Sequence, residues 1–368
     1  MQKPDLTFYC ELDAAALDKL FENRFVMDDL KALNARLSLG IIDFSEERAQ
    51  VVKNLNKLGV PVIAWLLLPK EEGYWFNLDN YVQATARYEA FKIWSEENQL
   101  KWDAIGLDIE PDINTMQEVR TRKWHMLPTL FRRLLDKGRL LRAQKAYHAL
   151  VEKLHEDGYA VESYHIPLII DERKARSTVL QRLAGLVDLE SDREVLMLYS
   201  SFMRPRGHEI LWQYVDEADS IGIGNTGGGV DLEGVIDLPP MTWEEFSKDL
   251  RLAYARGKPV HIFCLEGCVA QGFLERLITF DWRREIGKPK SRFVKRARGG
   301  LQALLWIMQR PWVILGGLLS LVGGIVLLKK RKIKLSTLPF GYDEDPKSIN
   351  KNGGKPKKIN HKEHKEEY

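Results

Sequence analysis

Cysteine is scarce in this 368-residue chain: Cys10, Cys264 and Cys268 are the only three. An odd number without CxxC or Cys/His spacing suggests neither a disulfide framework nor a zinc site, and suits a reducing compartment. HExxH, Walker and G-x-S-x-G motifs are also missing, so zinc hydrolysis, nucleotide hydrolysis and serine esterase chemistry have no support. No cofactor and no metal ion is expected. The opening stretch, MQKPDLTFYCELD, lacks the positive, apolar and small-residue order of a secretion signal, which places the body of the protein in the cytoplasm. No internal repeat of fixed period is present.

Charge is small in sum, +3, but unevenly spread. From Arg283 onward there are 21 Lys and Arg against 7 Asp and Glu, a net +14 that leaves the first 282 residues at −11. Inside the basic part, PWVILGGLLSLVGGIVLL (311–328) gives 18 uncharged residues. As a helix these reach roughly 27 Å, close to the hydrocarbon core of a bilayer, so one membrane span is expected. The larger basic cluster upstream favours a cytoplasmic body, although KKRKIK after the span leaves the exported orientation open. The basic residues of 283–298 suit anionic lipid rather than nucleic acid, because they adjoin the span. Gly316, Ser320 and Gly324 form a small-xxx-small face, open to homodimerisation or to ordinary membrane-helix glycine.

Hydrophobic residues make up 45% of the chain, ample for a core. Eight apolar runs bounded by turn residues, from LTFYCELD to KPVHIFCLEG, alternate with helix-period segments such as TWEEFSKDLRLAYARG, which opens with Thr242 and Glu245 as a capping box. This predicts an α/β fold, a (β/α)8 TIM barrel, with an open doubly wound sheet as the alternative. The expected organisation is a barrel over 1–282, a basic juxtamembrane linker over 283–310, a transmembrane helix over 311–328 and a disordered basic tail over 329–368. Residues 113–157 are too long for one crossover helix and are expected to hold two or three, roofing the barrel mouth.

Active groups of such barrels lie at the C-terminal ends of strands. Glu11, Asp13, Asp43, Asp108, Glu110 and Glu266 all fall there. Period-two alternation in WDAIGLDIEPD puts Gly106, Asp108 and Glu110 on one face and Ile105, Leu107 and Ile109 on the other. Two carboxyls so close raise the pKa of one, giving a protonated acid beside an ionised partner, as glycosidic bond cleavage requires. The competing reading is a rim ion pair, or the remnant of a site in an inactive relative.

DAIGLDIE resembles the fourth-strand signature of family 18 glycoside hydrolases, the chitinases and their relatives, D-x-x-D-x-D-x-E. Asp103, Asp108 and Glu110 match, and Gly106 replaces the middle acid. VLMLYSS is similar to the family's M-x-Y-D, with Met197 and Tyr199 matching and Ser200 replacing the Asp. The resemblance implies Glu110 as general acid, Asp108 as its support, and Tyr199 as helper to the substrate's N-acetyl nucleophile. Since Ser200 removes a substrate-positioning group, a protein carboxylate, Glu266, Glu11 or Asp43, becomes the candidate nucleophile or base. A spacing of about 5 Å from Glu110 would mean retention, and about 6.5–9.5 Å inversion.

Tyr74, Trp75 and Phe76 sit in an expected loop, where Trp75 offers a ring for a sugar to stack on, or else anchors the loop. Trp65 reads as core. Gly222, Gly224 and Gly227 have G-x-G-x-x-G spacing, but VDLEGVIDLPP follows where a helix is required, so a flexible ligand loop with Asn225 as donor, even toward a phosphorylated ligand, reads better. His165 is a candidate shuttle or ligand contact, or a satisfied rim residue. The expected function is a membrane-anchored glycoside hydrolase acting on carbohydrate. The alternative is an inactive barrel that binds a carbohydrate or other ligand at the membrane surface.

Overall fold

The computed structural model describes residues 3–115, 127–229 and 239–336, of which the side chains at 314, 315, 318 and 330–336 fall outside the description. Two compact units result, Met1–Pro311 and Trp312–Tyr368. In the first, eight parallel strands close into a barrel in sequence order: β1 Leu6–Cys10, β2 Arg36–Ile41, β3 Val62–Leu66, β4 Ala104–Ile109, β5 Val161–His165, β6 Arg193–Met197, β7 Ser220–Gly224 and β8 Val260–Phe263. Each corresponds to one of the eight apolar runs.

The runs are almost continuously apolar because both faces are buried. Residues such as Phe8, Leu39, Leu66, Leu107 and Ile262 face outward into the main core against the helices. Tyr9, Trp65, Tyr164, Val195 and Met197 point inward and fill the barrel with a second, aromatic core. Local signals end the helices as the sequence implies. The Glu46–Leu58 helix starts at the Ser45 cap and stops at Gly59 in the left-handed region (φ 75°), and the Thr242/Glu245 capping box is formed.

Residues 113–157 hold the Leu127–Leu135 and Lys137–Glu156 helices, while 116–126, the centre of the expected roof, lie outside the described residues. The expected linker 283–310 is corrected. It contains a 17-residue helix, Arg292–Met308, whose Val294, Arg298 and Leu305 are buried, and the compact unit extends to Pro311.

The basic residues of 283–298 are corrected in one member. Arg298 is not a free charge for lipid: its guanidinium sits 2.9 Å from buried Asp171, 3.1 Å from Glu217 and 3.7 Å over the Tyr214 ring. Residues 311–328 are helical within Pro311–Ser336, so helix also runs into the expected tail, whose residues 337–368 lie outside the described ones. Among the described residues no helix is long and apolar enough to cross a membrane, and the span stays a reading of the sequence.

Candidate active site

Strand parity decides which acids meet. Glu11 follows the last residue of β1, Asp108 is the penultimate residue of β4, and Glu110 follows its end. All three line one cavity of about 830 Å³ at the C-terminal ends of the strands, together with the rings of Tyr9, Trp65, Trp75, Tyr164, Tyr199 and Phe263. Trp65, expected as core, belongs both to the inner aromatic cluster and to this wall.

The loop after β3 fixes the arrangement from above. Phe76 N–H donates to the Asp108 carbonyl (2.9 Å) and Glu110 N–H to the Phe76 carbonyl (3.2 Å), so the loop lies along β4 like a short extra strand. Gly73 (φ 101°) and Tyr74 (φ 64°) turn the chain into it through the left-handed region, which for tyrosine is strained. The turn aims the Tyr74 hydroxyl at Glu11 Oε1, 2.6 Å away. Tyr74 and Phe76 are therefore anchors, and Trp75, although 5% exposed, is the ring of the three that lines the cavity.

Burial dominates the electrostatics. Asp108, 2% exposed, is held well above the usual carboxylate range by desolvation and by Glu110 and Glu11; the nearby Trp65 indole pulls weakly the other way, yet Asp108 Oδ1 completes no hydrogen bond. Desolvation and Glu11 push Glu110 up to about 8. Burial also raises the Tyr9, Tyr164 and Tyr199 hydroxyls, so they remain donors.

A carboxyl raised on folding stabilises the protein fully below its ordinary value, 4.5 for Glu110, and that contribution is lost as pH rises through about 8. Glu110→Gln, which cannot ionise, is therefore expected to melt higher than the wild type at about pH 9 and no higher at about pH 4. Thermal melts of both proteins across this range check it. A constant difference between the two curves would contradict the raised value.

The broken positions of the motifs have physical explanations. A Cβ at Gly106 would lie 2.8 Å from Tyr164 Cζ and closer still to its hydroxyl, so the missing middle acid makes room for a tyrosine that pairs with Ser38 at 3.0 Å inside the barrel. Gly106→Ala is accordingly expected to destabilise by overpacking, about 1–3 kcal/mol, as a lowered denaturant midpoint. Ser200 does not line the cavity; it donates to Asp249 (2.6 Å), which also pairs with His208 at 2.6 Å.

Four expected site residues do not reach the cavity. Asp13 caps the Ala14–Glu22 helix through Ala16 N–H at 2.8 Å. Asp43 is pulled to about 2 by Arg48 and Ser45, with Arg48 at 2.9 Å, and serves as an ion pair. His165 occupies the outward parity of β5, opposite to Tyr164, and burial lowers its pKa. Glu266 sits behind the Gly228–Gly229 turn, where its Oε1 accepts from Gly229 N–H (3.1 Å) and Glu11 N–H (3.4 Å), so it braces Glu11.

Asn225 does line the cavity, but its Oδ1 is engaged by Gly227 N–H at 2.6 Å. The β7 glycines serve packing: a Cβ at Gly222 would meet the Tyr199 ring at 3.2 Å, and one at Gly224 the Phe263 carbonyl at 2.6 Å. Residues 230–238, the rest of that expected ligand loop, lie outside the described residues.

Sequence reasoning missed the helical part of the wall. Phe293, Val294, Ala297 and Leu301 of the Arg292–Met308 helix line the same cavity as the carboxylates, as do Leu168, Phe202, Met203, Arg206 and Ile210. Their spacing within 293–301 is helical, a signal masked by the surrounding arginines and lysines. Among the described residues no group of three His, Cys, Asp or Glu side chains is arranged to hold a metal ion.

No family model and no curated protein sequence matches the chain. Solved structures with a similar course include the glycoside hydrolase domain of PgaB (BpsB) from Bordetella bronchiseptica, at 12% identity and TM-score 0.46 over 75% of this chain and 98% of that one. A chitinase from Chromobacterium violaceum follows at 12% identity and TM-score 0.40, over 73% and 99%. A mutant tryptophan synthase α-subunit from the hyperthermophile Pyrococcus furiosus has 14% identity and TM-score 0.38, over 76% and 98%. Glycoside hydrolases stand beside a synthase among these neighbours, and the barrel itself rests on the closure of the chain's own eight strands.

Proposed function

We propose that the protein is a glycoside hydrolase of the family 18 kind in outline, carried on a membrane anchor. The observation that carries this reading is the convergence of Glu11, Asp108 and Glu110 in one aromatic-lined cavity, with Glu110 held protonated toward about 8. Glu110 donates its proton to the glycosidic oxygen as the bond to the anomeric carbon breaks, and Asp108 keeps the site electrostatically poised. Glu11, held by the Tyr74 hydroxyl, then attacks the anomeric carbon or activates a water. Ser200 faces Asp249, so a protein carboxylate suits this site better than N-acetyl assistance. Tyr199 is the donor at the aromatic wall.

Residues 311–328 would hold the barrel at a cytoplasmic membrane face, with Gly316, Ser320 and Gly324 as a pairing surface for two copies. A binding barrel without turnover is the second reading, favoured by the replacement of two family acids with Gly106 and Ser200. Release of new reducing ends from a panel of oligosaccharides and alkyl glycosides by the full chain separates the two. Turnover on any of them supports the hydrolase, and a folded protein inert on all of them supports the binding module.

A further inference from the structure

The cavity is two-sided. The carboxylates and most of the tyrosines come from the barrel strands and their ends, whereas the lining from the helical segments is apolar: Leu168, Phe202, Met203, Ile210, Val294 and Leu301. Most of the polar groups on that side are already engaged. Arg298 is bound to Asp171 and Glu217, and Tyr214 donates its hydroxyl to Asp171. Arg206 pairs with Glu209 at 3.0 Å and stacks 4.4 Å over the Phe293 ring.

A free oligosaccharide needs hydrogen-bonding partners along its whole length, since burying unpaired hydroxyls is costly. This wall supplies few, the remaining N–H groups of Arg206 beyond its bonds to Glu209. A volume near 830 Å³ is toward the upper end of the range of about 300–1,000 Å³ typical of ligand pockets, more than one sugar ring occupies. The helix that builds the wall also presents Leu304, Trp306 and Ile307 to the outside, at 53%, 43% and 38% exposure. Such rings and aliphatic chains on one surface helix suit the lipid interface. Two residues separate the end of this helix at Met308 from the 18-residue apolar run.

We infer that the cavity takes an amphiphile, with its glycosyl head at Glu11 and Glu110 and its alkyl or acyl chain along the Arg292–Met308 helix. This rests on the hydrolase reading for the position of the head and names the substrate class as glycolipid. Substrate enters from the bilayer surface, and the apolar wall reads chain length.

The test is binding of methyl, butyl, hexyl and octyl glycosides, with glucosyl and N-acetylglucosaminyl heads, to the full chain in phosphatidylcholine nanodiscs, with empty nanodiscs subtracted. Burying each further methylene is expected to tighten binding by about fourfold. Ala297→Glu, at an exposed position on the wall, flattens that series, and Leu301→Gln does the same should Ala297→Glu fail to fold. A flat series in the wild type overturns the inference, as does an undiminished gradient in a folded variant. Glu110→Gln keeps the gradient because binding, not turnover, is read. Turnover with a flat series removes the glycolipid and leaves the hydrolase, whereas a gradient without turnover on any glycoside removes the hydrolase and leaves the amphiphile site.

Discussion

Turnover of a glycoside by Glu110→Gln is expected to fall about 10²–10⁴-fold, the usual contribution of a positioned general acid, with ligand affinity little changed. Gln has the same shape and cannot supply a proton. The wild-type rate should decline as pH rises through about 8, because the donor is active only while protonated. In Glu110→Gln the residual rate should lose that alkaline limb. Initial rates of wild type and variant across the pH range, on whichever glycoside is turned over, provide the check. A variant as fast as the wild type would move the donor role away from Glu110, with Asp108 the next carboxyl in the cavity.

The second large effect is structural. Arg298→Ala is expected to cost about 3–5 kcal/mol, because it strands the fully buried carboxylate of Asp171. That carboxylate accepts from Arg298 Nε at 2.9 Å, from Gln302 Nε2 at 2.7 Å and from the Tyr214 hydroxyl, while Arg298 also donates to the Gln213 carbonyl at 2.5 Å. The Arg292–Met308 helix is latched to the barrel by this polar cluster beside the packing of Leu305 on Ala175 and Val179, so hydrogen exchange along 292–308 should accelerate together with the loss of global stability. Pairing Arg298→Met with Asp171→Asn removes both charges and should restore most of the loss, as a denaturant-midpoint series will show. Equal midpoints for Arg298→Ala and the wild type would mean that the helix is held by its apolar contacts alone.

The barrel was legible because parallel strands buried on both faces leave an uninterrupted apolar trace, and each of the eight traces became a strand. The site was half legible. Alternation correctly set Asp108 and Glu110 on the inner face, and the same alternation applied to β5 separates His165 from Tyr164. Asp43 and Asp13 sit beyond the strand ends, where turn and cap chemistry rather than parity decides direction. Glu266 was hidden by a three-dimensional fact, the Gly228–Gly229 turn in front of it; a Cβ at Gly228 would lie 2.6 Å from its Cγ. Tyr164 could not be read from its own strand, because the space it fills is set by the missing side chain of Gly106 on the neighbouring one. Basic composition concealed the wall helix, since charge suggested a solvated linker while a narrow apolar stripe within it was packing.

That helix is the last element of its compact unit, which bears on how the protein is made. A nascent chain leaves the ribosome with all eight strands before Arg292 appears, and domains assemble from the N-terminal end as they emerge. Until then Ala175 and Val179 lack the Leu305 side of their cluster and Asp171 lacks its cation. A chain halted before Arg292 presents greasy surface beside an uncompensated acid, the kind of species that holdase chaperones retain. Completion of the fold and completion of the cavity are thus one event, set by the final turns of the unit to be translated.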